Sequence, residues 1–210
     1  MTERPHGRRG NSAAVAGKLC LHSAVTHRSP DATHTAAPSI RDRTGDDLEE
    51  CVRVLGEVHR SDGYPVNWPE DPAGWLSRGS ELGAWIVEAD GRVAGHVSLA
   101  PGGPDDVAPG VWSEHGAGRA PDRTAVLGRL FVAPRARGRG VGALLIGRAV
   151  ERARHAGLHP VLDVVSTDTA AMALYERLGW QPMATVQRQW TPGRTVTVHC
   201  YGAPPGVPAP

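Results

Sequence analysis

One segment organises this 210-residue chain: Leu130-Phe131-Val132-Ala133-Pro134-Arg135-Ala136-Arg137-Gly138-Arg139-Gly140-Val141-Gly142. A run rich in Val and Leu ends at Val132, and a basic, glycine-rich turn follows. Val141, Leu144, Leu145, Ala149, Ala153 and Ala156 then recur at helical spacing. The pattern predicts a strand over 124–132, a turn over 134–140 and a helix from 141, closed by Gly157 as a C-cap. Glycines let backbone N–H groups point into a turn without Cβ clashes. A helix N-terminus adds unpaired donors and a partial positive charge. Together they predict a site for phosphate oxygens, with Arg135, Arg137 and Arg139 adding full charges.

The turn excludes two common phosphate binders. A P-loop ends in Gly-Lys-Ser/Thr, which is absent here. Gly138-x-Gly140-x-x-Ala143 fits the spacing of a dinucleotide fingerprint, and Asp163 follows. However, Pro134-Arg135-Ala136-Arg137 separates strand from first glycine, where that fingerprint needs a tight turn. The chain after Asp163 also closes with antiparallel strands instead of further βα units.

Upstream of the turn, the pattern predicts a strand over 39–43 and a helix over 46–60. Residues 63–72 form a loop, and Asp71-Pro72 offers N-cap and N1 of a short helix to 77. Strands over 84–88 and 92–100 flank Asp90-Gly91, a strong hairpin signal. Residues 101–119, rich in Gly, Pro and acids, read as a loop. Downstream come a buried strand over 161–165, a helix capped by Asp168, and strands over 183–190 and 195–201. The order β-α-α-β-β-β-α-β-α-β-β predicts one α/β (α+β) domain over 38–203, with a central mixed sheet and about four helices. Residues 1–37 read as a disordered N-terminal extension and 204–210 as a Pro-rich tail.

The formal charge of +1 hides a split. Residues 1–39 carry +3, residues 40–115 carry −9 and residues 116–210 carry +7. An anionic ligand at the basic part and a cationic one at the acidic part are therefore expected. The near-neutral total argues against nucleic acid as a partner. Three distant cysteines (Cys20, Cys51, Cys200) suggest reduced thiols in a cytoplasm. His155 and His159 are separated by Gly157, so no metal site is expected. No apolar run reaches the ~18 residues of a membrane helix, so no membrane partner is expected. Lys18 and His22 interrupt the N-terminal apolar stretch, which argues against a signal peptide.

The sequence resembles the GNAT superfamily of N-acetyltransferases. Arg137-Gly138-Arg139-Gly140-Val141-Gly142 matches its cofactor motif R/Q-x-x-G-x-G/A. Asp168-Thr169-Ala170-Ala171-Met172-Ala173-Leu174-Tyr175-Glu176-Arg177-Leu178-Gly179-Trp180 is similar to its N-x-x-A-x-x-L-Y-E-x-x-G-F stretch. The resemblance implies acetyl-CoA as co-substrate and no metal. It implies that Arg137, Gly138, Arg139, Gly140, Val141, Gly142 and Ala143 hold the pyrophosphate. Leu130, Phe131 and Val132 would offer backbone groups to the pantetheine arm, with the parallel strands splaying after Val132. Asp168 stands where the family has Asn, and ionised Asp cannot donate a hydrogen bond.

Tyr175 is the expected general acid for the departing thiolate. The strand before the turn lacks the carboxylate that many relatives carry. Asp163, Glu114, His115 and Asp122 are candidate bases, and His96 reads as a structural histidine. The resemblance puts the acceptor pocket near loop 59–69. There Tyr64 and Trp68 would line a cleft or staple the loop, and Asp62 or Glu70 would face a cation. Direct acetyl transfer to the amine of a small molecule is the expected function. Protein N-acetylation and a non-catalytic acetyl-CoA-binding module are the alternatives. The oligomeric state stays open, a homodimer included.

Overall fold

Ser39–Asp42 forms β1, and Thr44 stops it. The Asp47 carboxylate accepts from the Thr44 N–H at 2.7 Å and from its hydroxyl at 2.8 Å. This cap leads through a 3-10 turn into α1 (Leu48–Asp62), which buries Cys51, Val54, Leu55 and Val58 at helical spacing. Gly63, at φ 73, ends α1 by donating its N–H to the His59 carbonyl. α2 (Pro72–Leu76) starts as expected, with the Asp71 carboxylate accepting from the Gly74 N–H at 2.9 Å. β2 (Gly83–Ala89) and β3 (Arg92–Pro101) meet at Asp90-Gly91, both at positive φ, as a type I′ hairpin requires.

The computed structural model describes residues 37–205 apart from 78, 104–105, 115–119 and 192. Residues 1–36 and 206–210 of the expected extension and tail lie outside the described residues, as does His115.

The expected loop over 101–119 contains a helix, α3 (Val107–Glu114). Pro109 and Gly110 concealed it in the sequence. Pro109 sits in the first turn, where no N–H is needed. Ala108 and Val111 are buried in a small cluster with Val161 and Cys200. Burial against the sheet, and not local propensity, makes this helix.

β4 (Thr124–Val132), α4 (Val141–His155), β5 (His159–Val165), α5 (Thr169–Arg177), β6 (Gln181–Thr191) and β7 (Arg194–Gly202) complete the domain. The described residues thus hold five α-helices and one seven-stranded sheet, ordered β1-β2-β3-β4-β5-β7-β6. Among the described residues only β4 and β5 pair in parallel. α4 packs on β2, β3, β4 and β5, burying Leu145, Ile146, Ala149 and Ala153. The main core joins these to α1 and the sheet. Burial of each such Leu or Ile contributes about 1.5–3 kcal/mol. Among the described residues no helix is long and apolar enough to cross a membrane.

Candidate active site

β4 and β5 share only three paired positions, Thr124–Val126 against His159–Val161. Beyond Val126, β4 stays on β3 and β5 stays on β7, so a wedge opens between the two parallel strands. It opens well before Val132, the expected point. The cause is local. Arg129 adopts φ 50, and the β3–β4 register shifts between His96 and Ser98. A left-handed residue in a strand makes a bulge, which bends the strand and increases its twist. The β5-facing edge of β4, through Leu130, Phe131 and Val132, consequently has no strand partner among the described residues.

At the end of this edge lies the basic, glycine-rich turn. Ala133 leads into the 3-10 turn Pro134–Ala136, and the chain reverses through Gly138 and Gly140 at φ 73 and 77. Neither glycine would crowd a neighbour with a Cβ, so conformation, not space, requires them. The first bond of the α4 ladder runs from the Leu144 N–H to the Gly140 carbonyl. The N–H groups of Val141, Gly142 and Ala143 therefore precede the ladder, as anion-binding helix starts do. Gly142 has another role: its Cβ would stand 2.8 Å from Leu174, so it lets α5 approach α4. An open, mostly apolar groove of about 630 Å³ flanks the turn on the Ile40 side, away from the wedge.

The three arginines of the turn are engaged within the protein. Arg135 donates to the Val93 carbonyl at 2.7 Å and lies 3.6 Å from Glu57. Arg137 grips the Asp62 carboxylate with both terminal nitrogens, and Arg139 pairs with Asp90 at 2.9 Å. The basic and acidic parts of the chain are thus interleaved, which corrects the expectation of two separate fields. Asp62 faces a cation, but that cation is Arg137.

On α5, which follows β5, Tyr175 is the one buried residue. Its ring lies 5.9 Å from Trp180 and 6.0 Å from Tyr201. Burial pushes its phenol well above the ordinary value, and Tyr64, Asp168 and Asp163 act the same way. Tyr64 is raised likewise by burial, with Arg129 opposing. The loop after α1 has therefore carried Tyr64 into the electrostatic neighbourhood of Tyr175, Asp163 and Arg129.

Asp163 is the exposed position of an otherwise well-buried strand. Water reaches it, yet the surrounding protein removes enough solvation to raise its carboxyl. Arg188 opposes that shift and Asp106 adds to it. Asp168 caps α5, accepting from the Ala171 N–H at 3.0 Å.

Residues 48–180 match the acetyltransferase (GNAT) family. The chain belongs to that family. GNAT acetyltransferases are acyl-CoA-dependent N-acyltransferases that use acetyl-CoA. An uncharacterized N-acetyltransferase of Methanocaldococcus jannaschii is 29% identical over 154 residues, spanning 71% of this chain and 63% of the relative's length. The fold is similar to that of a ribosomal-protein-alanine N-acetyltransferase from Brucella melitensis (TM-score 0.58, 22% identity, 78% of this chain and 98% of that one). It is also similar to yncA of Salmonella typhimurium with its cofactor acetyl-CoA (TM-score 0.54, 20% identity, 80% and 93%). A GCN5-related N-acetyltransferase from Kribbella flavida matches with TM-score 0.58 (23% identity, 80% and 98%).

Within this GNAT fold, some expected site residues stand elsewhere. Trp68 is 41% exposed and its ring lies 5.2 Å from His59, so it staples the loop to α1 instead of reaching Tyr175. Glu114 and Asp122 are exposed, at the end of α3 and in a 3-10 turn. His96 is fully buried, with Nδ1 donating to the Arg129 carbonyl at 3.0 Å and its ring stacked on Phe131. Burial pushes its imidazole down to about 4, so it is neutral and buttresses the bulge.

Two residues at this end were not expected from sequence. The Arg129 guanidinium sits 5.0 Å from the Trp75 ring centroid and donates to the Ser98 hydroxyl at 3.3 Å. Gly128-Arg129 inside an apolar strand was the available signal, since glycine within a strand often marks a bulge.

Proposed function

We propose that this chain moves the acetyl group of acetyl-CoA directly to the primary amine of a small molecule, with both substrates bound together. The observation that carries this reading is the unpaired edge of β4 where it parts from β5, with Asp163 on β5 beyond the last shared pair.

The N–H groups over 138–143 receive the pyrophosphate, and the unpaired edge at Leu130, Phe131 and Val132 takes the pantetheine arm as an added strand. Arg137 and Arg139 lend charge there while they remain paired with their carboxylates. Val141, Gly142 and Ala143 contribute backbone donors, so side-chain identity matters less than the glycines.

The neutral amine nitrogen attacks the thioester carbonyl carbon. A C–N bond forms, the C–S bond breaks, and the sulfur leaves with the electron pair. Tyr175 donates the proton that sulfur needs, and solvent restores the phenol. Burial keeps that phenol protonated, the state from which an acid must start. The same desolvation raises the thiol, which keeps the transfer within reach. Asp163 accepts the proton lost by the amine, directly or through water. Its raised carboxyl makes it a stronger base than an ordinary aspartate. Tyr64 lines the acceptor end. Asp168 spends its carboxylate on the α5 cap and so gives the pantetheine no donor. Buried Cys51 and Cys200, each pushed up to about 12, are inert thiols that suit a cytoplasm.

A second reading, acetylation of a protein N-terminus, is favoured by the ribosomal-protein-alanine N-acetyltransferases from Brucella melitensis and Escherichia coli among the similar structures. Incubation with acetyl-CoA and a panel of amines and N-terminal peptides, following free thiol release, separates the two. Turnover of metabolite amines alone supports the first reading and turnover of peptides alone the second. Cofactor binding with no release from any amine overturns both in favour of a binding module.

A further inference from the structure

The arginines of the phosphate turn divide by what they hold. Arg139 reaches the β2–β3 hairpin at Asp90, and Arg135 reaches the body of α1 at Glu57. Arg137 alone reaches the end of α1, where it takes the carboxylate of Asp62, the last helical residue. Gly63, at φ 73, turns the chain there, and Tyr64 follows directly. A single residue, Gly63, therefore separates the carboxylate held by the turn from the residue whose phenol ring lines the proposed acceptor end.

We propose that Arg137 and Asp62 are positioning residues that couple occupancy of the phosphate turn to the placement of Tyr64. This rests on reading the turn as the cofactor pyrophosphate site. A guanidinium carries five donors in a rigid fork, and two are committed to Asp62. The others remain available to an anion at the turn. The side chains of Arg137 and Asp62 are 45% and 38% exposed, so water screens the pair and holds it loosely on its own. A diphosphate at Gly138–Gly140 would fix the guanidinium between two anions. Asp62, Gly63 and Tyr64 would then be held with it. Such coupling is reciprocal, so a placed acceptor would also tighten the cofactor. The direction of the Asp62 shift agrees: Arg137 holds its carboxyl below the ordinary value.

Amide hydrogen exchange of the full chain, with and without saturating CoA, tests this without knowledge of the acceptor. In the wild type, CoA should slow exchange over 138–143 and also over 63–68. In Arg137→Gln and Asp62→Asn, slowing over 138–143 should persist, while slowing over 63–68 should fall about threefold or more. Arg135→Gln, which releases Glu57 in the helix body and the Val93 carbonyl but not Asp62, should leave the loop response intact. The exposed position of the pair means that neither variant threatens the fold. Equal loop responses in wild type and both variants would overturn the coupling. So would a wild-type response confined to the turn, which leaves the cofactor reading standing. A response in neither segment would overturn the cofactor reading itself, and the coupling with it.

Discussion

The glycine-rich turn and the proposed acceptor end are built in opposite ways. The turn is contiguous, about ten residues long, and presents backbone N–H groups shaped by Gly138 and Gly140. The proposed acceptor end draws on side chains from five separate stretches: Tyr64, Trp75 and Arg129, which touch through the Trp75 ring, and Asp163 and Tyr175. A backbone site depends on conformation and tolerates most changes of side chain. A side-chain site tolerates backbone variety but loses its chemistry with a single atom. Variants should therefore separate cleanly into those that change cofactor affinity and those that change the rate of transfer.

Tyr175→Phe gives the sharpest test. Loss of the proton donor should lower kcat by about 10³-fold while the CoA Kd changes less than twofold. Steady-state kinetics with the best amine of the panel, paired with calorimetry, reads both. An unchanged kcat with chemistry limiting would remove Tyr175 from the acceptor end.

The proposed acceptor end also rests on a fully buried titratable buttress. Burial drops His96 from 6.5 in the unfolded chain to about 4 in the fold. Between those values the unfolded chain binds the proton and the folded chain refuses it. Stability is therefore full above about pH 6.5 and falls by about 3 kcal/mol as the pH drops to about 4. Urea unfolding across this range should show that loss in the wild type and a flatter profile in His96→Gln. Parallel profiles would mean that His96 is not held neutral.

Gly140→Asp should act on the other region. A non-glycine residue at φ 77 costs about 1–2 kcal/mol, and the new carboxylate repels phosphate. The CoA Kd should rise about 10²-fold by calorimetry, and intact affinity would place the pyrophosphate elsewhere.

The smallest effect concerns Asp163. A base with a raised carboxyl makes kcat/KM climb with pH until that group ionises, above the ordinary aspartate range. Asp163→Asn should erase this acidic limb and cost about tenfold at neutral pH. If the limb survives, another group takes the amine's proton.

Contiguity also governs what was legible beforehand. The turn, the Asp71 and Asp168 caps, the Asp90-Gly91 hairpin and the stripe of α4 all stand where their residues indicated. Asp163 lies on β5 past its pairing with β4 and Tyr175 is buried on α5, while Trp68 packs on His59 and the turn arginines hold carboxylates. Helix α3 stayed hidden because tertiary burial outweighs its Pro109-Gly110. The wedge opens early because a bulge at Arg129 obeys its contacts with His96, Ser98 and Trp75, which come from other elements.

By itself, the sequence determined most of the elements and the glycine-rich turn, because caps, turns and helical stripes arise from residues within a few positions of one another. Only the tertiary structure decided where β4 and β5 separate, which arginine holds which carboxylate, and that Trp68 packs on His59 while Tyr64 packs on Trp75. Those outcomes depend on the packing of side chains far apart along the chain, as Arg137 and Asp62 are, and such packing exists only once the sheet has formed.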